Sequence, residues 1–271
     1  MTKRDAVGII DELERLGTAQ NRKVYARHGY PSPCAGVSFA ALGALKKRLG
    51  VDQALARELM ASGHAEGQLL ATMIADPAAL DDAEARAWVE GVRWYVLADA
   101  LAGALAAAPR AIEWATRWMA HERPWVRRTG YALVAAMLRD LREDLEDGWL
   151  GGVLEAAERD MAGSPGPARH AMNAAIIAIG GWRPALSAAA LETARRIGPV
   201  EVDHGQTACE TPDAVAYIET MLARTAGRAP AAKKKKKKKA KSPPKKKTQK
   251  GKGKGRGRGK GKKGRGKGKK G

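Results

Sequence analysis

Acidic residues are missing from the last 43 residues of this 271-residue chain: Ala229 to Gly271 holds no Asp or Glu, and no apolar residue larger than Ala. A segment so built has nothing to bury. Its twenty-three Lys and Arg repel one another, so the cost of ordering it goes uncompensated, and a disordered tail is expected over residues 229–271. As a neutral Gly-rich coil it would reach about 35 to 40 Å, and its charge extends it further. Gly259, Gly261 and Gly264 spell G-x-G-x-x-G, but neither a strand nor a helix can flank them in this composition, which excludes a dinucleotide site.

Cysteine is scarce as well. Cys34 and Cys209 stand far apart with no C-x-x-C, which leaves a disulfide framework and a Cys-rich zinc site poorly supported. No metal or cofactor is expected. No run of eighteen apolar residues occurs, so no membrane span is predicted. The N-terminal MTKRDAVGIIDELERLG carries charges throughout, where a signal peptide would be apolar. A cytoplasmic, nucleoid-associated monomer is expected.

The charge that is present divides unevenly. Residues 1–228 hold 26 of the 49 Lys and Arg beside all 29 Asp and Glu, leaving the body near −3 and the tail at +23. Such a tail suits a polyanion, and nonspecific nucleic acid is its expected partner; a solubility tail is the plain alternative. Neutralising roughly ten phosphates would give a log–log salt slope near −9. No tail residue could insert beside the charges into a bilayer, so a membrane partner is not expected.

Residues 1–228 are ample for one substantial core. No stretch alternates with period two. Helical periodicity covers roughly 2–16, 38–49, 52–62, 65–75, 82–91, 93–107, 110–120, 124–140, 149–161, 168–179, 184–197 and 212–225. Breaks fall at Gly29 to Pro33, Asp76-Pro77, Ala108-Pro109, Arg123-Pro124, Ser164 to Pro167, Gly180-Gly181 and Thr211-Pro212-Asp213, where Thr211 is placed to cap and Pro212 to open the last helix. A dozen helices joined by short turns predict an all-α fold, an α-solenoid of stacked HEAT-like helical pairs. Repetition at a fixed period is weak, so the prediction rests on the number and length of the elements.

Two features could carry chemistry. In WYVLADALAGALAAAP the lone charge is Asp99, one turn after Tyr95 and one turn before Gly103, so an aromatic, an acid and a gap share a face. The same carboxylate could instead look into solvent or cap a neighbouring helix. In HERPWVRRTGYALVAAM, Pro124 opens a helix whose first turns hold Trp125, Arg127 and Arg128, where amides and guanidiniums could hold phosphate oxygens. Arg127 and Arg128 point about 100° apart, so one is expected to face a ligand while the other pairs with an acid. Inter-helix salt bridges would explain both equally.

The chain resembles the DNA alkylation repair glycosylase family over most of residues 20–225. The resemblance is carried by NRKVYARHGY with GVSFAALGALKKRLG, by LARELMASGHAEGQLLATMIADP, by the unit from Tyr95 to Asp99, and by PWVRRTGYAL. It implies a HEAT-like solenoid acting on alkylated duplex DNA as a monofunctional enzyme that hydrolyses the N-glycosidic bond of 3- and 7-alkylated purines. A cationic purine leaves without a general acid, and one carboxylate can stabilise the developing oxocarbenium charge and orient water. The resemblance gives that role to Asp99, lesion contact to Tyr95 where the family carries Trp, and phosphate binding to Arg127 and Arg128. Family members remove lesions without swinging the base into a deep pocket, so the absence of a recognisable base pocket is no objection to this resemblance.

The departures are equally specific. A second family Trp aligns with Ala175 or Ile176, and Trp182 comes too late to replace it one for one; the basic and Pro residues expected after Gly-Val are Ser38 and Ala. Arg169, His170 and Asn173 could line a DNA groove or belong to any solvated helix face. Asp203, His204, Cys209 and Asp213 fall within eleven residues but fit no zinc spacing, and a turn with local hydrogen bonds is expected there. Two other functions fit the same residues: a nucleic-acid-binding helical scaffold without catalysis, and a protein-interaction solenoid.

Overall fold

A computed structural model describes residues 5–226. The tail 229–271 and the boundary at residue 228 lie outside the described residues. Among the described residues there are thirteen α-helices and no strand. They are α1 (Ala6–Leu16), α2 (Ala19–Arg27), α3 (Phe39–Leu49), α4 (Gln53–Ala61), α5 (Ala65–Ile74), α6 (Asp82–Gly91) and α7 (Tyr95–Leu105). They continue as α8 (Ala111–Met119), α9 (Pro124–Arg139), α10 (Asp147–Asp160), α11 (Gly166–Trp182), α12 (Ser187–Ile197, entered through a 3-10 turn) and α13 (Ala214–Ala226).

Local chemistry fixes where many helices begin. Asp5, Thr18, Ser38, Asp52, His64 and Asp81 each accept an amide of the first turn at the starts of α1 to α6, satisfying donors that have no helical partner. Pro124 opens α9. Asp213, not Thr211, caps α13: its Oδ1 accepts from Ala216 N at 2.8 Å. Thr211 is diverted because its hydroxyl meets His204 Nε2 at 2.9 Å.

The helices stack in two layers. α3, α5, α7, α9, α11 and α13 pack in succession as one row, and α4, α8 and α12 pack onto α5, α9 and α11 as a second layer. α9 lies at the centre, between α7 and α11. On α7, Leu97, Leu101 and Leu105 recur every fourth residue and are fully buried, each contributing about 1.5–3 kcal/mol. α8 crosses α9 at Gly130, where a Cβ would come within 2.5 Å of Met119 N. No single described helix is long and apolar enough to cross a membrane; one bent pair, α11 with the segment Pro184–Ile197, passes by composition but turns through 113°.

The hydrophobic pattern does not reveal α2. Its sequence AQNRKVYAR buries no residue; polar side chains attach it. Asn21 Nδ2 donates to Gly36 O at 3.0 Å, Arg22 Nη1 to Ala35 O at 2.8 Å, and the Tyr25 hydroxyl to Val37 O at 2.7 Å. The other edge of this extended strap is held from α5. Glu66, fully buried, accepts the amides of Ala35, Gly36 and Val37 at 3.0, 2.6 and 3.0 Å. Side chains therefore satisfy three successive peptide groups on both edges, as neighbouring strands would in a sheet. Gly36 is required here: its φ is +79°, and a Cβ would sit 2.5 Å from Thr18 O.

Candidate nucleic-acid interface

Three successive helices of the row, α7, α9 and α11, meet at a polar centre. Arg128, on the second turn of α9 and 3% exposed, directs one nitrogen, Nη2, to both Asp99 oxygens at 2.8 Å. Its Nη1 donates to Pro167 O at 3.1 Å and lies 3.4 Å from His170 Nδ1, while its buried Nε has no partner among the described residues. The guanidinium also stands over the Tyr95 ring, 5.6 Å from its centroid, a cation–π contact. On the opposite side the Tyr95 hydroxyl lies 2.7 Å from His28 Nδ1. The aromatic-x-x-x-Asp unit is thus cross-linked by Arg128 to α9 and α11, and by His28 to the end of α2.

Asp99 is enclosed yet open. Its side chain keeps 48% of its surface accessible, because it lies on a groove floor that water reaches from one direction while protein surrounds it elsewhere. That enclosure raises its pKa, opposed by the positive charge and hydrogen bonds of Arg128. His170 is pushed down to about 4, first by burial and then by Arg128 and His204; its ring meets that of His204 edge-on, with centroids 5.6 Å apart. Burial also raises the Tyr95 phenol.

The groove has two lobes meeting at Asp99, Arg128, His170 and Cys209. The first, about 470 Å³, is walled by Arg27 and His28 at the end of α2, by Arg93, Trp94 and Tyr95 at the start of α7, by Trp125, and by residues between 202 and 209 in the loop before α13. Arg93 and Arg123 both donate to the Glu90 carbonyl at the end of α6, where the helix dipole favours cations. Neither forms an ion pair with an acid among the described residues. Tyr30 stacks on Tyr25 and lies tilted against Trp94, with centroids 4.4 and 4.0 Å away, so aromatic contacts continue back to α2. The second lobe, about 710 Å³, runs along α9, α11 and α13.

Eight of the residues singled out in the sequence come together in the first lobe: Tyr95, Asp99, Trp125 and Arg128, with His170 and the cluster residues Asp203, His204 and Cys209 beside them. Asn173 lines the second, but it is buried and donates to Pro212 O at 2.9 Å, which anchors the loop before α13. Arg127 turns away: its Nε donates to His121 O at 2.9 Å and its Nη1 to Ser164 Oγ at 3.0 Å. Arg169 lines a separate depression with Glu158, Arg196 and Val200. Ala175 and Ile176, which align with a family Trp, are both buried in the body of α11. Asp203 and His204 bond locally: Asp203 Oδ1 accepts from Gly205 N at 2.7 Å, and His204 Nε2 lies 2.9 Å from Thr211 Oγ1. No three His, Cys, Asp or Glu side chains cluster as metal ligands among the described residues.

The sequence does not single out Arg27, His28, Arg93 or Trp94 as groove residues. Arg27 and His28 lie in NRKVYARHGY, one of the segments that carry the resemblance, and their pairing with α7 depends on the polar attachment of α2.

The sequence model for the family described as DNA alkylation repair enzyme matches residues 9–218, an interval that contains every residue of the polar centre. The chain belongs to this family. Two curated relatives span nearly their whole length on it. The uncharacterized protein Lin0241 of Listeria innocua is 26% identical over 77% of this chain and 93% of its own length. The uncharacterized protein Lmo0209 of Listeria monocytogenes is 26% identical over 79% of this chain and 96% of its own. A solved structure from a family of proteins related to the HEAT-like repeat DNA glycosylases with affinity for branched DNA structures superimposes with a TM-score of 0.76. It is 26% identical and covers 82% of this chain and 95% of that one. The α-solenoid of stacked HEAT-like pairs read from the sequence is the fold of this family member.

Proposed function

We propose that this protein binds DNA in the groove along its helical row and hydrolyses the N-glycosidic bond of 3- or 7-alkylated purines in duplex DNA, with Asp99 as the catalytic carboxylate. The observation that carries the reading is the half-open Asp99 carboxylate, held at both oxygens by buried Arg128 beside Tyr95 and Trp125. In the reaction the C1′–N bond breaks and its electron pair leaves with the purine, which becomes neutral. Water then adds to C1′ and loses a proton. Asp99 stabilises the positive charge that develops on the sugar, as a group fixed in place before the reaction. Trp125 and the acid-free Arg93 on the groove wall supply surface and charge for the sugar-phosphate strand, and the +23 segment that follows supplies sequence-independent affinity. Acting on DNA, the protein works as a single chain at the nucleoid.

The test is release of free 7-methylguanine or 3-methyladenine from methylated DNA by the purified protein. Wild type is expected to release it and Asp99→Asn to stop release while still binding DNA. Tight DNA binding without release would defeat the catalytic part.

Three observations favour a second reading, binding without base excision. Ala175 and Ile176 are buried, one face of Tyr95 is taken by Arg128, and the superimposed neighbour is described by affinity for branched DNA. Under it, Asp99 serves to position Arg128, and Asp99→Asn changes affinity but no chemistry.

A further inference from the structure

The second lobe differs from the first in kind. Its floor is a strip of small residues, Ala132, Ala135 and Ala136 on α9 with Ala171, Ala174 and Ala178 on α11. At its far end stand Trp182 and Tyr217, which keep 39% and 50% of their surface exposed. An exposed Trp on a helix that otherwise buries its apolar residues is unusual. Gly180 and Gly181 let α13 pack closely on α11, since a Cβ at either would meet Ile218 or Met221 within 3 Å. Tyr217 is thereby held on the same lobe as Trp182.

The lobe's lining carries both signs: Glu210 lies on it, and Arg139 pairs with Asp140 at 3.0 Å, which leaves Arg224 as the lining cation without an acid partner among the described residues. Arg139 and Arg224 line the lobe, and Arg139 Nη2 fills the gap above Gly103, 3.7 Å from where a Cβ would be. The polycationic segment begins at Ala229, three residues beyond the end of α13. Small residues that admit a flat ring, aromatic faces and guanidiniums are what successive bases and phosphates of an unpaired strand need. A duplex would present only its charged outer edge to such a floor.

The geometry points to a nucleobase-stacking subsite at Trp182 and Tyr217 for unpaired nucleotides, so the preferred substrate is a duplex from which one strand departs near Asp99 and runs along the second lobe. This rests on the DNA-binding reading above. Trp182 follows His170 by twelve residues of α11, a rise of about 18 Å, which is roughly three to five nucleotides of strand. The arm length is therefore part of the inference.

The experiment measures affinity by fluorescence anisotropy for a blunt duplex and for duplexes bearing single-stranded arms of one, five or ten nucleotides. A further five-nucleotide arm made of abasic sugars keeps the phosphates and removes the bases. Expected is about tenfold tighter binding with arms of five or more bases, little gain from one base or from the abasic arm, and quenching of 2-aminopurine at the fifth position. Trp182→Ala with Tyr217→Ala should abolish the gain and the quenching, whereas Trp182→Phe with Tyr217→Phe should retain most of both. Equal binding to blunt and armed duplexes, or an equal gain from the abasic arm, overturns the subsite while leaving the DNA-binding reading intact. Failure to bind any DNA overturns both. Unchanged DNA affinity in the Ala variant, with loss of a dimer in sedimentation, would assign the surface to a second copy of the chain and overturn the proposal.

Discussion

A single nitrogen of Arg128 serves both carboxylate oxygens of Asp99, at 2.8 Å each. The pair is asymmetric, since Arg128 is buried and Asp99 is half open. Removing the acid therefore leaves a buried cation without its counter-charge, whereas removing the cation leaves a carboxylate that water can still reach.

Asp99→Asn is expected to cost roughly 1–2 kcal/mol of stability, below the 3–5 kcal/mol of a fully buried pair because one partner is open. Arg128→Ala should cost more than Asp99→Asn, because it removes packed side-chain volume and frees the Pro167 carbonyl. Urea unfolding of the two variants checks the order. Equal costs would show that the packed volume of Arg128 and its bond to Pro167 O add nothing beyond the ion pair.

Glu66 holds three amides with one buried carboxylate. Glu66→Ala leaves those donors unsatisfied and should cost about 3–5 kcal/mol, with DNA affinity reduced because α2 and His28 lose their anchor. Loss of stability without any change in groove binding would separate the strap from the site.

His170 is neutral in the folded protein down to about pH 4 because burial and two neighbours oppose its charging. The unfolded chain takes up that proton near pH 6.5, so between those values the unfolded state binds more protons and stability falls as pH drops. Thermal melts of the wild type should decline over this window more steeply than those of His170→Asn. Parallel profiles would show that the ring titrates normally.

Truncation after residue 228 removes +23 of charge. DNA affinity should fall uniformly across sequences and the salt slope flatten by about 0.9 for each phosphate no longer neutralised. An unchanged slope would place the charge that binds DNA in the helical body.

Most of the fold is legible because most helices bury a stripe at the spacing the sequence displays, as Leu97, Leu101 and Leu105 do on α7. α2 is not, because its attachments run from Asn21, Arg22 and Tyr25 to carbonyls that no periodicity marks. In the site, Asp99 stands out as a lone acid among apolar residues. The arginine pair is less legible. Arg128 both lines the groove and pairs with the acid, while Arg127 bonds to a carbonyl and a hydroxyl. Contacts such as His28 to Tyr95, 67 residues apart, follow from the stacking order of helices, which a single chain pattern does not contain.

The strap at residues 35–37 is fastened on both edges by side-chain hydrogen bonds, and α2 beside it buries no residue. Detaching α2 from it exposes little apolar surface, so the denaturant slope of that local opening is shallow while that of the helical stack is steep. One rim of the groove can therefore loosen through loss of hydrogen bonds and a single tyrosine stack, with the layered core intact beneath it.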